Sequence, residues 1–140
     1  MIAPQAQTIQ EQNKHLLLRW FDEVWHQSRR ETIYELYGAE ALLLDGDTAY
    51  RGPDEFCRFY DLIQSQFSHF AIKPVVTLAE GDLVSTRFTV ECTYIKTQKP
   101  VKFTAMVIIR VRDGRFVEAW QNWDAASVVA QVPEFSAAGL

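Results

Sequence analysis

From Val101 to Arg112 the chain alternates without a break: Val101, Phe103, Ala105, Val107, Ile109 and Val111 interleave with Lys102, Thr104, Met106, Ile108, Arg110 and Arg112. Only an extended strand sends successive side chains to opposite faces, so the apolar row must be covered by another part of the chain. The strand also exceeds the usual length of about five or six residues, and strands this long tend to bend. A bent sheet with one apolar face needs a roof, and the helices that could form one come earlier in the sequence.

Before about residue 70 the apolar residues recur at helical spacing. Thr8 and Glu11 have the spacing of a capping box, which satisfies free amides at a helix start. The helix that follows carries Leu17, Trp20, Phe21 and Val24 on one stripe, flanked by Leu16 and Trp25, and is predicted to end between Gln27 and Arg30. A second, shorter helix runs from Glu31 to Tyr37, with Gly38 as its stop. Ala41–Leu44 reads as a short buried strand leading into the polar turn Asp45-Gly46-Asp47-Thr48. Tyr50-Arg51-Gly52-Pro53 opens a third helix, with Pro53 at its first position and Phe56, Phe59, Tyr60, Ile63 and Phe67 on its apolar side.

The period then drops to two. Strands are predicted over residues 70–79, 83–95, 101–112 and 115–124, followed by a helical turn or two over Ala125–Gln131 and a loose tail from Pro133. Helices first and a long antiparallel meander afterwards make an α+β domain with the helices packed on one face of the sheet. The whole of 1–140 reads as one domain with its core between about 8 and 132. A curved sheet closed by helices is a cone, and the inside of a cone is a pocket.

Bulk properties narrow the class. The chain has 140 residues, 48% of them hydrophobic, enough to bury a core without disulfides or metals. A net charge of -4 offers no basic footprint for nucleic acid or an anionic membrane. Cys57 and Cys92 match no zinc spacing and read as reduced, small apolar residues. His15 and His26 share a helix face but stand too far apart to hold one metal. No metal or cofactor motif is present. The first residues, Met1 to Gln5, lack the pattern of a signal peptide, and no apolar run is long enough to span a bilayer. The expectation is a soluble, cytoplasmic protein.

Candidate functional residues cluster in the last strand. Period-two alternation sets Trp120, Asn122 and Asp124 on one face, a combination that suits an apolar cavity with a few polar groups at one end. Asp124 is a candidate proton-transfer acid, its pKa raised by lost hydration at a cavity mouth. It is equally placed to cap the following short helix through the amides of Ala126 and Ser127. Asn122 is placed to donate to a substrate oxygen or to bind backbone. Trp120 and Trp20 read as cavity wall or core, and Phe103 as part of the inward row. Tyr50, Phe56 and Tyr60 face the expected pocket rim, with the Tyr60 hydroxyl as a possible donor. The outward row Thr104, Met106 and Ile108, with Trp123, is too apolar for a free sheet surface and suggests a two-fold homodimer.

Four segments together resemble the SnoaL-like domains of the nuclear-transport-factor-2-like superfamily. They are Asn13-Lys14 through Phe21-Asp22-Glu23-Val24-Trp25, Tyr50-Arg51-Gly52-Pro53, Glu80-Gly81-Asp82-Leu83-Val84, and Asp113-Gly114 through Trp120 to Asp124 and Gln131. The resemblance implies a cone-shaped sheet of about six strands with a mixed edge, closed by three N-terminal helices. It also implies a small apolar ligand in the cone and frequent homodimerisation through the outer sheet face. Members include polyketide cyclases, and related folds include ketosteroid isomerases, epoxide hydrolases and dehydratases. Asp124 matches the acid that the cyclases carry at the end of the last strand. Asp45 lies where the isomerases place their general base, although an exposed turn aspartate is the plainer reading of Asp45 and Asp47. The sequence departs from the family in having no His on residues 101–112, no Arg-x-Asp pair, and Trp20 and Phe21 where the isomerases have an oxyanion-binding Tyr. The expected function is binding of a small hydrophobic carbonyl compound without a cofactor, either with isomerisation, cyclisation or dehydration by proton transfer or as a non-catalytic ligand or protein-interaction module.

Overall fold

A computed structural model describes residues 7–135; the stretch Met1 to Gln5 considered above and residues 136–140 of the tail lie outside the described residues. The elements are α1 (Ile9–Trp20), a π-helical segment (Phe21–His26), α2 (Glu31–Leu36), β1 (Tyr37–Asp45), β2 (Thr48–Arg51), α3 (Gly52–Gln66), β3 (Phe67–Glu80), β4 (Leu83–Tyr94), β5 (Lys99–Arg112), β6 (Arg115–Trp123) and α4 (Ala125–Gln131). The six strands form one sheet in the order β2-β1-β6-β5-β4-β3. All neighbours are antiparallel except β1 and β6, which run parallel. Register shifts in β3, between Ser68 and Ala71 and between Pro74 and Val76, mark bulges of the kind that bend a long strand.

The alternation in β5 is obeyed in full. Val101, Ala105, Val107, Ile109 and Val111 are buried, while Lys102, Met106, Ile108 and Arg112 are exposed. In β4, Val84, Phe88, Val90, Cys92 and Tyr94 continue the inner face. The roof is α1, the π-helical segment and α3, whose Leu17, Trp20, Phe21, Val24, Phe56 and Phe59 pack down onto the sheet in one core. Thr8 caps α1 by accepting from the Glu11 amide at 3.2 Å.

Several boundaries differ from the sequence expectations. The first helix changes at Phe21 to π winding, in which the Gln27 amide donates to the Asp22 carbonyl at 2.9 Å; Phe21 and Val24 are both buried. Gly38 is a strand residue, and β1 starts at Tyr37 because its lower end pairs with Phe116 of β6. Thr48–Arg51 pairs with β1 as a short edge strand instead of running straight into α3. The break before α3 falls at Gly52, with φ of +74° and only 2.8 Å from its would-be Cβ to the Ala39 carbonyl oxygen. Phe67 belongs to β3, not to α3. The tail is anchored as far as Phe135, which is buried with its ring 5.2 Å from Phe67 and 6.2 Å from Trp123. Among the described residues no helix is long and apolar enough to cross a membrane.

The most consequential difference lies in β6. Arg110 pairs with Glu118, but its neighbour Val111 pairs with Phe116, so β6 carries a bulge at Val117. Counted on from Phe116, which is buried, alternation would put Trp120, Asn122 and Asp124 inside. One extra residue reverses the phase. Ala119, Gln121 and Trp123 face the roof, with Gln121 opposite Val107 and Trp123 opposite Ala105. Trp120 and Asn122 stand on the outer face opposite Ile108 and Met106.

Candidate functional site

Between roof and sheet lies a cavity of about 100 Å³. Its walls are aromatic and aliphatic: Trp20, Phe21 and Trp25 from the first helical stretch, Phe56 and Phe59 from α3, and Phe88, Phe103 and Val107 from the sheet. Val128 of α4 closes one side. Cys92 also borders it, free and buried, with burial pushing the thiol up to about 12. Polarity is confined to the β6 wall, where Gln121 and Trp123 stand side by side on the inner face.

Behind that wall sits Asp45. The parallel register of β1 on β6 pairs Asp45 with Gln121, and the β1–β2 hairpin pairs it with Thr48, so the carboxylate faces the cone and not the solvent-side turn. Trp123 donates from Nε1 to Asp45 Oδ2 at 3.2 Å. Burial raises the Asp45 pKa above the ordinary aspartate range, while the Trp123 indole and the Gln121 side chain pull it part of the way back. Asp47, by contrast, is exposed in the turn.

Tyr50 lies on β2 opposite Leu43, its ring 5.2 Å from Phe59. Its buried hydroxyl has no hydrogen-bond partner among the described residues. Burial, with the Asp45 carboxylate nearby, raises the phenol's pKa. A buried hydroxyl without a partner is costly to keep, and Tyr50, expected at the pocket rim, lines neither hollow between roof and sheet.

The remaining sequence candidates separate cleanly. Trp20, Phe56 and Phe103 line the cavity. Tyr60 does not reach it: the residue is buried and its hydroxyl donates to the Val24 carbonyl at 2.9 Å, fastening α3 to the π-helical segment. Asp124 is exposed and caps α4, accepting from the Ser127 amide at 3.0 Å. Asn122 is exposed, and Trp120 is half-buried on the outer face. Trp123, read from the sequence as an outer-face residue, is the inner one. Gln121 was missed for the same reason, since the signal that would have found both is the bulge at Val117 and not the alternation itself. Among the described residues no cluster of three or more His, Cys, Asp or Glu side chains is placed to hold a metal ion.

A helical roof over a strongly bent sheet, with an apolar hollow and a polar patch on one wall, defines a small-molecule-binding cone. The chain matches the SnoaL-like domain family over residues 17–119 and belongs to it. Solved structures share the architecture. A proposed SnoaL-like polyketide cyclase from a Jannaschia species superposes with a TM-score of 0.83 at 17% identity, covering 96% of this chain and 100% of that one. A proposed polyketide cyclase from Streptomyces antibioticus gives a TM-score of 0.76 at 25% identity, covering 87% and 99%. A protein with a ketosteroid isomerase-like fold from Catenulispora acidiphila, solved with trimethylamine, gives 0.74 at 14% identity, covering 83% and 90%. No curated protein matches the sequence.

Proposed function

We propose that this protein binds a small hydrophobic carbonyl compound inside the cone and moves a proton at the carbon beside the carbonyl, with Asp45 as the base. One observation carries the reading: a half-buried carboxylate with a raised pKa is hydrogen-bonded to Trp123, a residue of the cavity wall. A base held nearer neutrality suits proton abstraction from a carbon acid; Asp45 does not itself line the cavity, so the transfer would run through one bridging water. Gln121 supplies an amide donor for the ligand oxygen on the same wall. The proposed cyclase assignments of the structural neighbours from Jannaschia and Streptomyces antibioticus are in keeping with such chemistry. Asp124 has no part in it.

The test is exchange of α-hydrogens for deuterium in acetophenone-type methyl ketones, followed by NMR with wild-type protein and Asp45→Asn. Exchange catalysed by the wild type and lost in the variant supports the assignment. Equal rates for the two proteins would remove Asp45 from the chemistry.

A second reading, a ligand-binding module without catalysis, has its own observation in favour. Asp45 stands behind Gln121 and Trp123 and does not itself border the cavity. Under that reading Asp45 orients the two wall residues, and its replacement weakens binding without any turnover to lose.

The outer sheet face is assigned to a homodimer contact. Met106 and Ile108 are 52% and 43% exposed, and Trp120 and Asn122 lie beside them across β6. With Thr104 they make an apolar strip that a second copy of the chain would cover. Trp120 takes the place first given to Trp123.

A further inference from the structure

We infer that Gln121 selects ligands that bring a hydroxyl group into the cone, because its partner Asp45 turns the amide so that its oxygen faces the hollow. The inference rests on the reading that the cone binds a small hydrophobic carbonyl compound with Asp45 as the base. It narrows that compound to a hydroxylated one.

The side chains lining the hollow are short of hydrogen-bond acceptors. Most are aliphatic or phenyl groups. The indoles of Trp20, Trp25 and Trp123 are donors only, and that of Trp123 is already spent on Asp45 Oδ2 at 3.2 Å. The Cys92 sulfur, its thiol pushed up to about 12 by burial, stays protonated and accepts weakly. Gln121 therefore carries the one strong side-chain acceptor among the lining residues. This sets it apart from every other member of the wall.

The way the amide faces follows from its neighbour. The parallel register of β1 on β6 places Gln121 beside Asp45, and the two side chains are hydrogen-bonded. A carboxylate serving as a base carries no proton and only accepts, so the amide nitrogen must be the donor. In a planar amide, nitrogen directed at the carboxylate leaves the oxygen directed away from it. Asp45 stands behind the wall, so the far side of the amide is the hollow. The second N–H of Gln121 stays free for the ligand carbonyl oxygen.

A hydroxyl entering such walls loses its water, a cost offset only where an acceptor meets it. A methyl group of similar size is favoured by apolar burial alone, so preference for the hydroxyl reports the acceptor. The experiment is calorimetric titration of wild type, Gln121→Met and Asp45→Asn with meta- and para-hydroxyacetophenone and their methyl counterparts. In wild type at least one hydroxy isomer is expected to bind about ten-fold or more tightly than its methyl counterpart. Gln121→Met keeps the side-chain length without the acceptor and should prefer the methyl compounds; Gln121→Leu replaces it if the methionine variant does not fold. In Asp45→Asn the amide is free to turn either way, and the hydroxyl preference should fall at least about three-fold. Wild type that binds both methyl compounds as tightly as the hydroxy ones overturns the inference. So does an unchanged preference in a folded Gln121 variant or in Asp45→Asn. Equal binding of the two kinds strikes only the selection by Gln121, whereas failure of all four to bind strikes the reading of the cone as well.

Discussion

The indole nitrogen of Trp123 donates to Asp45 Oδ2 at 3.2 Å, joining the last sheet strand to the first across 78 positions of sequence. The bond ties an otherwise ordinary turn-proximal aspartate to the cavity wall. It also gives Asp45 and Trp123 opposite influences on one proton: burial lifts the Asp45 pKa, and the indole donor lowers it.

Asp45→Asn should reduce ketone deuterium exchange by about 10²- to 10⁴-fold, the usual worth of a positioned general base. The same variant carries a stability signature. Because burial raises the folded-state pKa, the folded protein holds its proton to higher pH than the unfolded chain. Stability contributed by the protonated form is therefore present at low pH and lost as pH rises through the folded pKa. Asp45→Asn should be the more heat-stable protein at pH 7. The two melting temperatures should converge below about pH 3.9, the unperturbed aspartate value. Melting curves across this range check it.

Trp123→Phe keeps a ring in the wall and removes the donor. With its largest stabilising hydrogen bond gone, the Asp45 carboxylate should become harder to form, so the acid limb of the pH–rate profile should move to higher pH. A profile that drops in height without moving would mean that the indole only shapes the cavity.

Asp124→Ala removes the cap of α4 and should cost about 1 kcal/mol of stability by denaturant melts. Asp124→Asn keeps a capping oxygen and should match wild type in both stability and exchange rate. A large loss of exchange in a stably folded Asp124→Asn protein would return that residue to the chemistry.

Gly52→Ala places a Cβ at 2.8 Å from the Ala39 carbonyl oxygen on a backbone with φ of +74°. Left-handed strain and the clash with fixed backbone together should cost about 2 kcal/mol or more. Chemical denaturation measures it directly.

Met106→Glu introduces a charge into the centre of the outer apolar strip, where Met106 is 52% exposed. If two copies cover that strip, the variant should run as a monomer by light scattering while wild type runs as a dimer. Identical masses would locate any self-association elsewhere.

The alternating rows made most of the fold legible. β4 and β5 show their inner faces residue by residue, and the aromatic stripes of α1 and α3 mark the roof. Phase was harder. In β6 the apolar residues Phe116 and Ala119 are three apart, both buried, and an odd spacing in a strand is the trace of a bulge. Missing it turns Gln121 and Trp123 outward and Asp124 inward. Asp45 was legible as a polar residue at a turn, but its burial depends on pairing with Gln121, a contact made by strands at opposite ends of the chain. No local pattern encodes that neighbour. The aromatic anchor at Phe135 is of the same type, since its partner Phe67 is distant in sequence.

The parallel pairing of β1 with β6 has a consequence for the order of assembly. β1 has β2 on one edge and β6 on the other, so its second edge is filled only when the final strand is in place. Until that strand arrives, Asp45 remains an ordinary hydrated acid. Its altered proton affinity depends on the indole and amide that β6 brings, so the titration of this one carboxyl reports whether β1 and β6 are joined.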